Sequence, residues 1–428
     1  MGIFFLPNEL LHQIVREFCR HCQEGTEPSK FLVDELDDDD DADMSGRDDG
    51  VVDNPQATGE GEEWKTRNKD ELRAILEARQ TLLNLCRTCS VFRGIAQPYL
   101  YHRIEIRKSS TTKMSLLLRT LVLRPNLAAS VKHLTIGPCF PDERDELVEE
   151  RRISQNVLET GLIVAMPGVR PDWPPIDTSR CTSYVAVAQI VVAQTHSLET
   201  FVLSGTLDSP WEFLAHVDPG KCSMPRLRQL ELSCDRDPFD LADYTYAFQL
   251  APNLARLRII NCNAVSRQLS LDRVQALCIT DTEIPLPDME TLLASCRGGL
   301  RAFSGWFMSP KGAKASQVVE LLRRHGHGRT LADLALVAEA GSREVWGDEL
   351  DAIGTPLDRF PSLRRLVLDN RYAGEGEYPH LKEVVMVCVE PYSEWNDDRR
   401  DRLRDRLAEV GVTLTEGKVK RPGWVEEL

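Results

Sequence analysis

No uninterrupted apolar run in the 428-residue chain approaches the about 18 residues a membrane-spanning helix needs. Cysteines number 12 and are scattered, many of them inside apolar runs (Cys262, Cys278, Cys388), which excludes a disulfide scaffold and suits buried thiols acting as small hydrophobes. No Asn-x-Ser/Thr sequon occurs. The opening residues Met1 to Leu11 lack a basic flank and already meet Glu9, so they do not form a signal peptide. Also missing are a phosphate-binding glycine loop, a Gly-x-Ser-x-Gly elbow and a His-Glu-x-x-His helix, and no acid–base pair of carboxylates stands out. There is no basic stripe with interleaved aromatics, and the net charge is −15, which argues against nucleic acid or an anionic membrane as partner. The expectation is a reduced, soluble protein of the cytoplasm and/or nucleus, without catalytic residues, cofactor or metal.

What the chain does have is local asymmetry. Residues Asp34 to Glu63 carry fourteen acidic side chains against one arginine, Arg47. That window holds −13 of the −15, leaving the remainder at −2. The stretch from Gly25 to Glu63 has too little apolar surface to bury and reads as a disordered loop. It could bind divalent cations weakly, but it lacks the spaced ligands of a calcium loop. Ahead of it, Leu10, Leu11, Ile14, Val15 and Phe18 recur at helical spacing over Asn8 to Cys22, with Asn8 as the candidate cap. Helical periodicity resumes after about Trp64 (Leu72, Ile75, Leu76, Leu82, Leu83, Leu85), and a further helix is expected over Ser90 to Leu100.

From Tyr101 onward a short motif recurs: hydrophobe, two variable residues, hydrophobe, one variable residue, hydrophobe. The copies are Val131-Leu134-Ile136, Leu198-Phe201-Leu203, Leu227-Leu230-Leu232, Leu254-Leu257-Ile259 and Val274-Leu277-Ile279. Leu300-Phe303-Gly305, Leu331-Leu334-Leu336, Leu363-Leu366-Leu368 and Leu381-Val384-Met386 complete the series. Most central hydrophobes after Phe201 follow at intervals near the about 20–29-residue period of leucine-rich repeats. The gap from Leu134 to Phe201 is too long for one unit, so residues 137–197 hold an insertion or an unreadable repeat. Strand alternation would turn the second and third hydrophobes to one face. The residues before and between them would line the other, concave face: Gln229, Glu231, Arg256, Arg258, Asp333, Arg365 and their equivalents. Helical returns are legible at Leu241–Leu250, Asp288–Cys296, Lys314–Arg323 and Asp397–Val410. An ordinary α/β domain with similar strands is the alternative, but nine copies favour a stacked array.

Leu6-Pro7-Asn8-Glu9-Leu10-Leu11-His12-Gln13-Ile14 resembles the opening of an F-box, and Leu82-Leu83-x-Leu85 with Cys89-Ser90-Val91-Phe92-Arg93 resembles its second half. The two halves are separated here by the insertion from Gly25 to roughly Arg79. Together with the array behind it, the chain resembles fungal-type F-box proteins with degenerate leucine-rich repeats. The resemblance implies an α/β fold: an N-terminal helical F-box followed by an irregular leucine-rich-repeat solenoid with parallel strands on the concave side. It divides the chain into residues 1–24 and 80–106 for the F-box, 25–79 for the acidic insertion with a candidate helix at 65–79, and 107–428 for the repeats. It also implies a function: the substrate-recognition subunit of an SCF-type cullin–RING ubiquitin ligase, not itself an enzyme. Leu6, Pro7, Leu10, Leu11, Ile14, Leu82, Leu83 and Phe92 would face the Skp-family linker protein. The repeats would bind a protein substrate, with Arg256, Arg258, Glu231 and Arg365 as the candidate contacts. The alternative is a repeat scaffold that binds partners without a ligase.

Two further signals have competing readings. Cys19-x-x-Cys22 and Cys86-x-x-Cys89 have the spacing of a zinc site, with His21 beside the first pair. Their wide separation, their place in helical stretches and the lack of a knuckle glycine favour packed thiols. His325-Gly326-His327-Gly328 could be a ligand pair, but its place between a helix and a strand favours a helix C-terminal turn.

Overall fold

The computed structural model describes residues 7–19, 22, 77–106, 111–137, 184–204, 223–234, 238–280, 282–307, 312–338, 360–369, 382–388, 404, 405, 408 and 413–418. The acidic loop, most of the candidate helix at 65–79, Leu6, and nearly all of the last helical return lie outside these residues. The chain divides into two units, Met1–Arg103 and Ile104–Leu428.

In the first unit, α1 spans Asn8–Arg16. Pro7, not Asn8, is its N-cap, and the Pro7 carbonyl accepts the amides of Leu10 and Leu11 at 3.0 and 3.1 Å. The helix stops before the expected Cys22 because its last bonds tighten to three-residue turns, Phe18 N–H to Val15 and Cys19 N–H to Arg16. Residues 77–88 form a second helix (α2). Then α3 spans Ser90–His102, and the Cys89 sulfur caps it by accepting the Phe92 amide. Cys89 therefore has a local role as an N-cap acceptor.

The second unit is α/β, built on a large parallel sheet. Its strands are β1 (Arg103–Ile106), β2 (His133–Ile136), β3 (Thr200–Ser204), β4 (Gln229–Ser233) and β6 (Arg256–Ile260), then β8 (Ala276–Thr280), β9 (Ala302–Phe307), β10 (Asp333–Ala338), β11 (Arg365–Asp369), β12 (Glu383–Cys388) and β13 (Thr413–Lys418). Two short strands, β5 (Phe239–Asp240) and β7 (Cys262–Ala264), pair apart from it. In the eleven-stranded sheet spatial order follows chain order throughout. Each of the nine motif copies is one of these strands, with β1 and β13 added at the ends. Described helices between them include α4 (Thr111–Leu123), α5 (Pro125–Ala128), α6 (Tyr184–Gln194), α7 (Thr245–Leu250), α8 (Leu286–Ser295) and α9 (Ala315–Arg324). The motif thus codes a parallel strand, and the long gap after Leu134 contains α6.

The register explains the repeated spacing. Leu134, Phe201, Leu230, Leu257, Leu277, Phe303, Leu334 and Leu366 are Cα partners in successive strands. All eight are fully buried, so the middle hydrophobes of these eight copies stack on one another in one apolar column. The backbone repeats as well. The Glu199 carbonyl accepts the amides of Arg228 and Gln229 at 2.9 and 3.2 Å, Arg228 those of Ala255 and Arg256, and Ala255 those of Gln275 and Ala276. Gln275, Arg301 and Ala332 take two amides each in the same way. From β3 to β11, one forked carbonyl on the preceding strand's lead-in fixes where each strand of the large sheet begins.

The turn at His325 to Gly328 follows α9. Gly326 has φ +83°, the left-handed conformation that ends helices at glycine. His327 is buried: its Nδ1 accepts the Leu300 amide at 3.3 Å, and its Nε2 lies 3.0 Å from the Leu293 carbonyl. Only the neutral ring with the proton on Nε2 satisfies both contacts, since a second proton on Nδ1 would face the Leu300 N–H. Burial accordingly pushes the His327 pKa below its ordinary 6.5, and nearby His325 adds to the shift. In the unfolded chain His327 protonates freely, so it favours the fold above about pH 6.5, and that contribution is lost as pH falls through the lower folded value. The melting temperature of wild type should therefore fall more steeply on acidification than that of a His327→Gln variant. Parallel slopes would refute this role.

Candidate functional site

The apolar stripe of the first unit divides into an inner and an outer face. Leu11, Val15, Leu82, Phe92, Ile95 and Ala96 form one buried cluster, with Phe18, Leu85, Cys86, Cys89, Tyr99 and Leu100 packed against it. Three residues expected to face a linker protein, Leu11, Leu82 and Phe92, are thus internal core. Leu11 and Val15 are four apart and share the side of α1 that meets α3. Leu10 and Ile14 are also four apart, one step round the helix, and are 43% and 39% exposed. Pro7 is exposed at the head of the same helix, Leu83 is half-buried, and Val91 at the start of α3 is exposed. The unit therefore holds itself together with one stripe and presents Leu10 and Ile14 with another. Tyr99 links the helices, its hydroxyl 3.4 Å from His12 Nδ1. Burial and the adjacent Cys22 and Cys19 thiols push the Tyr99 phenol above its usual range.

In the sheet, the candidate contacts do not share one open face. Glu231 and Arg258 are Cα partners on β4 and β6, and the Arg258 Nη1 lies 3.6 Å from the Glu231 Oε2. Their side chains are only 6% and 8% exposed. They neutralise each other inside the protein, a correction to their expected place on a substrate surface. The registered row is closed from β3 to β11: Val202, Cys278, Ser304, Ala335 and Val367 are buried as well. Both sides of the central strands are thus out of water at this level, as is usual for parallel sheets. Complete burial pushes the Cys278 thiol pKa up, a shift partly offset by Arg258. The neighbouring row is more open: Arg256, Asp333 and Arg365 are half-buried.

The two Cys-x-x-Cys pairs separate. Among the described residues, the group of metal-capable side chains that converges is Cys19, Cys22 and His102, with donor atoms within 4.8 Å of one another. Cys86 and Cys89 pack against the helical core instead. The partner of the first pair is a histidine 80 residues away, beyond the reach of spacing rules. No helix among the described residues is long and apolar enough to cross a membrane. No protein-family model matches the chain, and no curated protein matches it in sequence.

Proposed function

We propose that the chain is the non-catalytic substrate-recognition subunit of an SCF-type cullin–RING ubiquitin ligase. In this reading the first unit is an F-box that docks on a Skp-family linker protein, and the second is a leucine-rich-repeat solenoid that binds a protein substrate. The observation that carries it is the Leu10–Ile14 pair, exposed on a helix whose sequence opens within the Leu-Pro-x-Glu motif. Two large aliphatic side chains one turn apart suit insertion into a partner's apolar groove. A unit of its own ahead of a strand array is the arrangement that separates docking from substrate selection. Support for the solenoid comes from nine motif copies in chain order, with the same forked carbonyl at each step from β2 to β11. Substrate contact falls to the more open row, with Arg256 and Arg365 as its basic positions.

The test is binding of the purified full chain to a recombinant Skp-family linker. Leu10→Asp combined with Ile14→Asp should weaken association by about 100-fold, as two interface anchors lost together would. Circular dichroism and melting temperature should stay as in wild type, because both positions face water. Leu11→Asp is unsuitable because it places a charge in the core. Unchanged binding of the double variant would refute this docking face. Failure of the wild type to bind would leave a ligase-independent repeat scaffold as the reading.

A further inference from the structure

We propose that Cys19, Cys22 and His102 form a binding site for a thiophilic transition-metal cation, with zinc as the fitting ion. The Cys19 and Cys22 sulfurs each lie 3.5 Å from the same atom, His102 Nδ1. A neutral imidazole nitrogen has one in-plane lone pair and accepts one good hydrogen bond. The Cys19 sulfur has the Tyr99 carbonyl as a second neighbour at 3.9 Å, yet both sulfurs converge on the one ring nitrogen. A shared cation accounts for the convergence. With Zn–S near 2.3 Å and Zn–N near 2.0 Å, a tetrahedral ion sets its sulfur and nitrogen ligands about 3.5 Å apart. Both sulfur–nitrogen edges have that length.

The local structure prepares this geometry. Cys19 sits in the tight turn after α1, and the Cys22 amide bonds back to the Cys19 carbonyl at 2.8 Å, which folds the two thiols to one side. His102 is the last residue of α3, where the helix dipole favours a cation. The Tyr99 ring lies against it, centroids 4.9 Å apart, and fixes its orientation. Cys19 is buried, while Cys22 and His102 are half-buried, so the site is shielded yet reachable. Donors of two thiolates and an imidazole select zinc or similar soft ions over magnesium and calcium. Water would complete the tetrahedral shell. Binding releases the thiol protons and involves no redox change.

The site's role would be structural. It joins the end of α1 to the end of α3 across the long acidic insertion, the place where loop closure leaves the unit entropically weakest. This inference does not rest on linker docking and stands if that reading fails.

The experiment is cobalt titration of the full chain, reduced and stripped of metal, followed by zinc competition. Wild type should bind one cobalt with a thiolate-to-metal charge-transfer band and the strong visible bands of a tetrahedral complex. Zinc should displace it. Cys22→Ser and His102→Gln, both at half-buried positions, should each weaken binding at least tenfold and diminish the band. Cys86→Ser with Cys89→Ser should retain it, since serine can still cap α3. A wild-type spectrum of octahedral cobalt would overturn the proposal. So would full-strength binding in Cys22→Ser and His102→Gln, or loss of the band only in the Cys86/Cys89 variant.

Discussion

Replacing Glu231 with alanine is expected to destabilise the sheet by about 3–5 kcal/mol, as is replacing Arg258 with alanine. The pair is held at 3.6 Å, too long for a strong hydrogen bond but close enough for Coulomb attraction where water is largely excluded. Attraction between the two offsets the loss of hydration. Remove one partner, and the other stays desolvated with this attraction lost. The same logic makes the joint replacement Glu231→Met with Arg258→Leu nearly neutral or stabilising, because well-packed apolar groups need no hydration. Urea denaturation of the two single variants and the double variant checks this. Additive losses would show that the two charges do not act as a pair.

Phe303→Ala should cost a comparable about 3–5 kcal/mol. Phe303 is fully buried on β9, in register between Leu277 of β8 and Leu334 of β10. The flanking strands are tied by the forked carbonyls of Gln275 and Arg301, so the backbone cannot close in on the void. Hydrogen exchange should show protection lost first in β8, β9 and β10, because each strand contacts chiefly its neighbours. Leu116→Ala, at an exposed position on α4, is the control and should change stability little. A uniform loss of protection over all eleven strands would contradict this local view.

The strands were legible because an apolar column needs the same residue class at the same step of every copy, and Leu134 through Leu366 supply it. The closed opposite face was not legible. Glu231 and Arg258 look like surface residues until the β4–β6 register sets them side by side. Likewise, Leu10 and Leu11 are equally apolar neighbours, and only the packing of α1 on α3 makes one internal and the other external. The pairing of Cys19 and Cys22 with His102 depends on a contact across 80 residues, while Cys86 and Cys89, with the same spacing, serve core and cap. β5 and β7 were missed because two or three residues carry no period. The histidine turn was readable from Gly326, whose left-handed backbone is a local demand.

Because neighbours in the large sheet are neighbours in the chain, a ribosome delivers each strand just after the one it must lie against. The growing polypeptide extends its own template, and no early segment has to wait, sticky and unmatched, for a mate encoded far downstream. Construction proceeds like laying planks from one end, which limits the time during which nascent apolar edges can find the wrong companion.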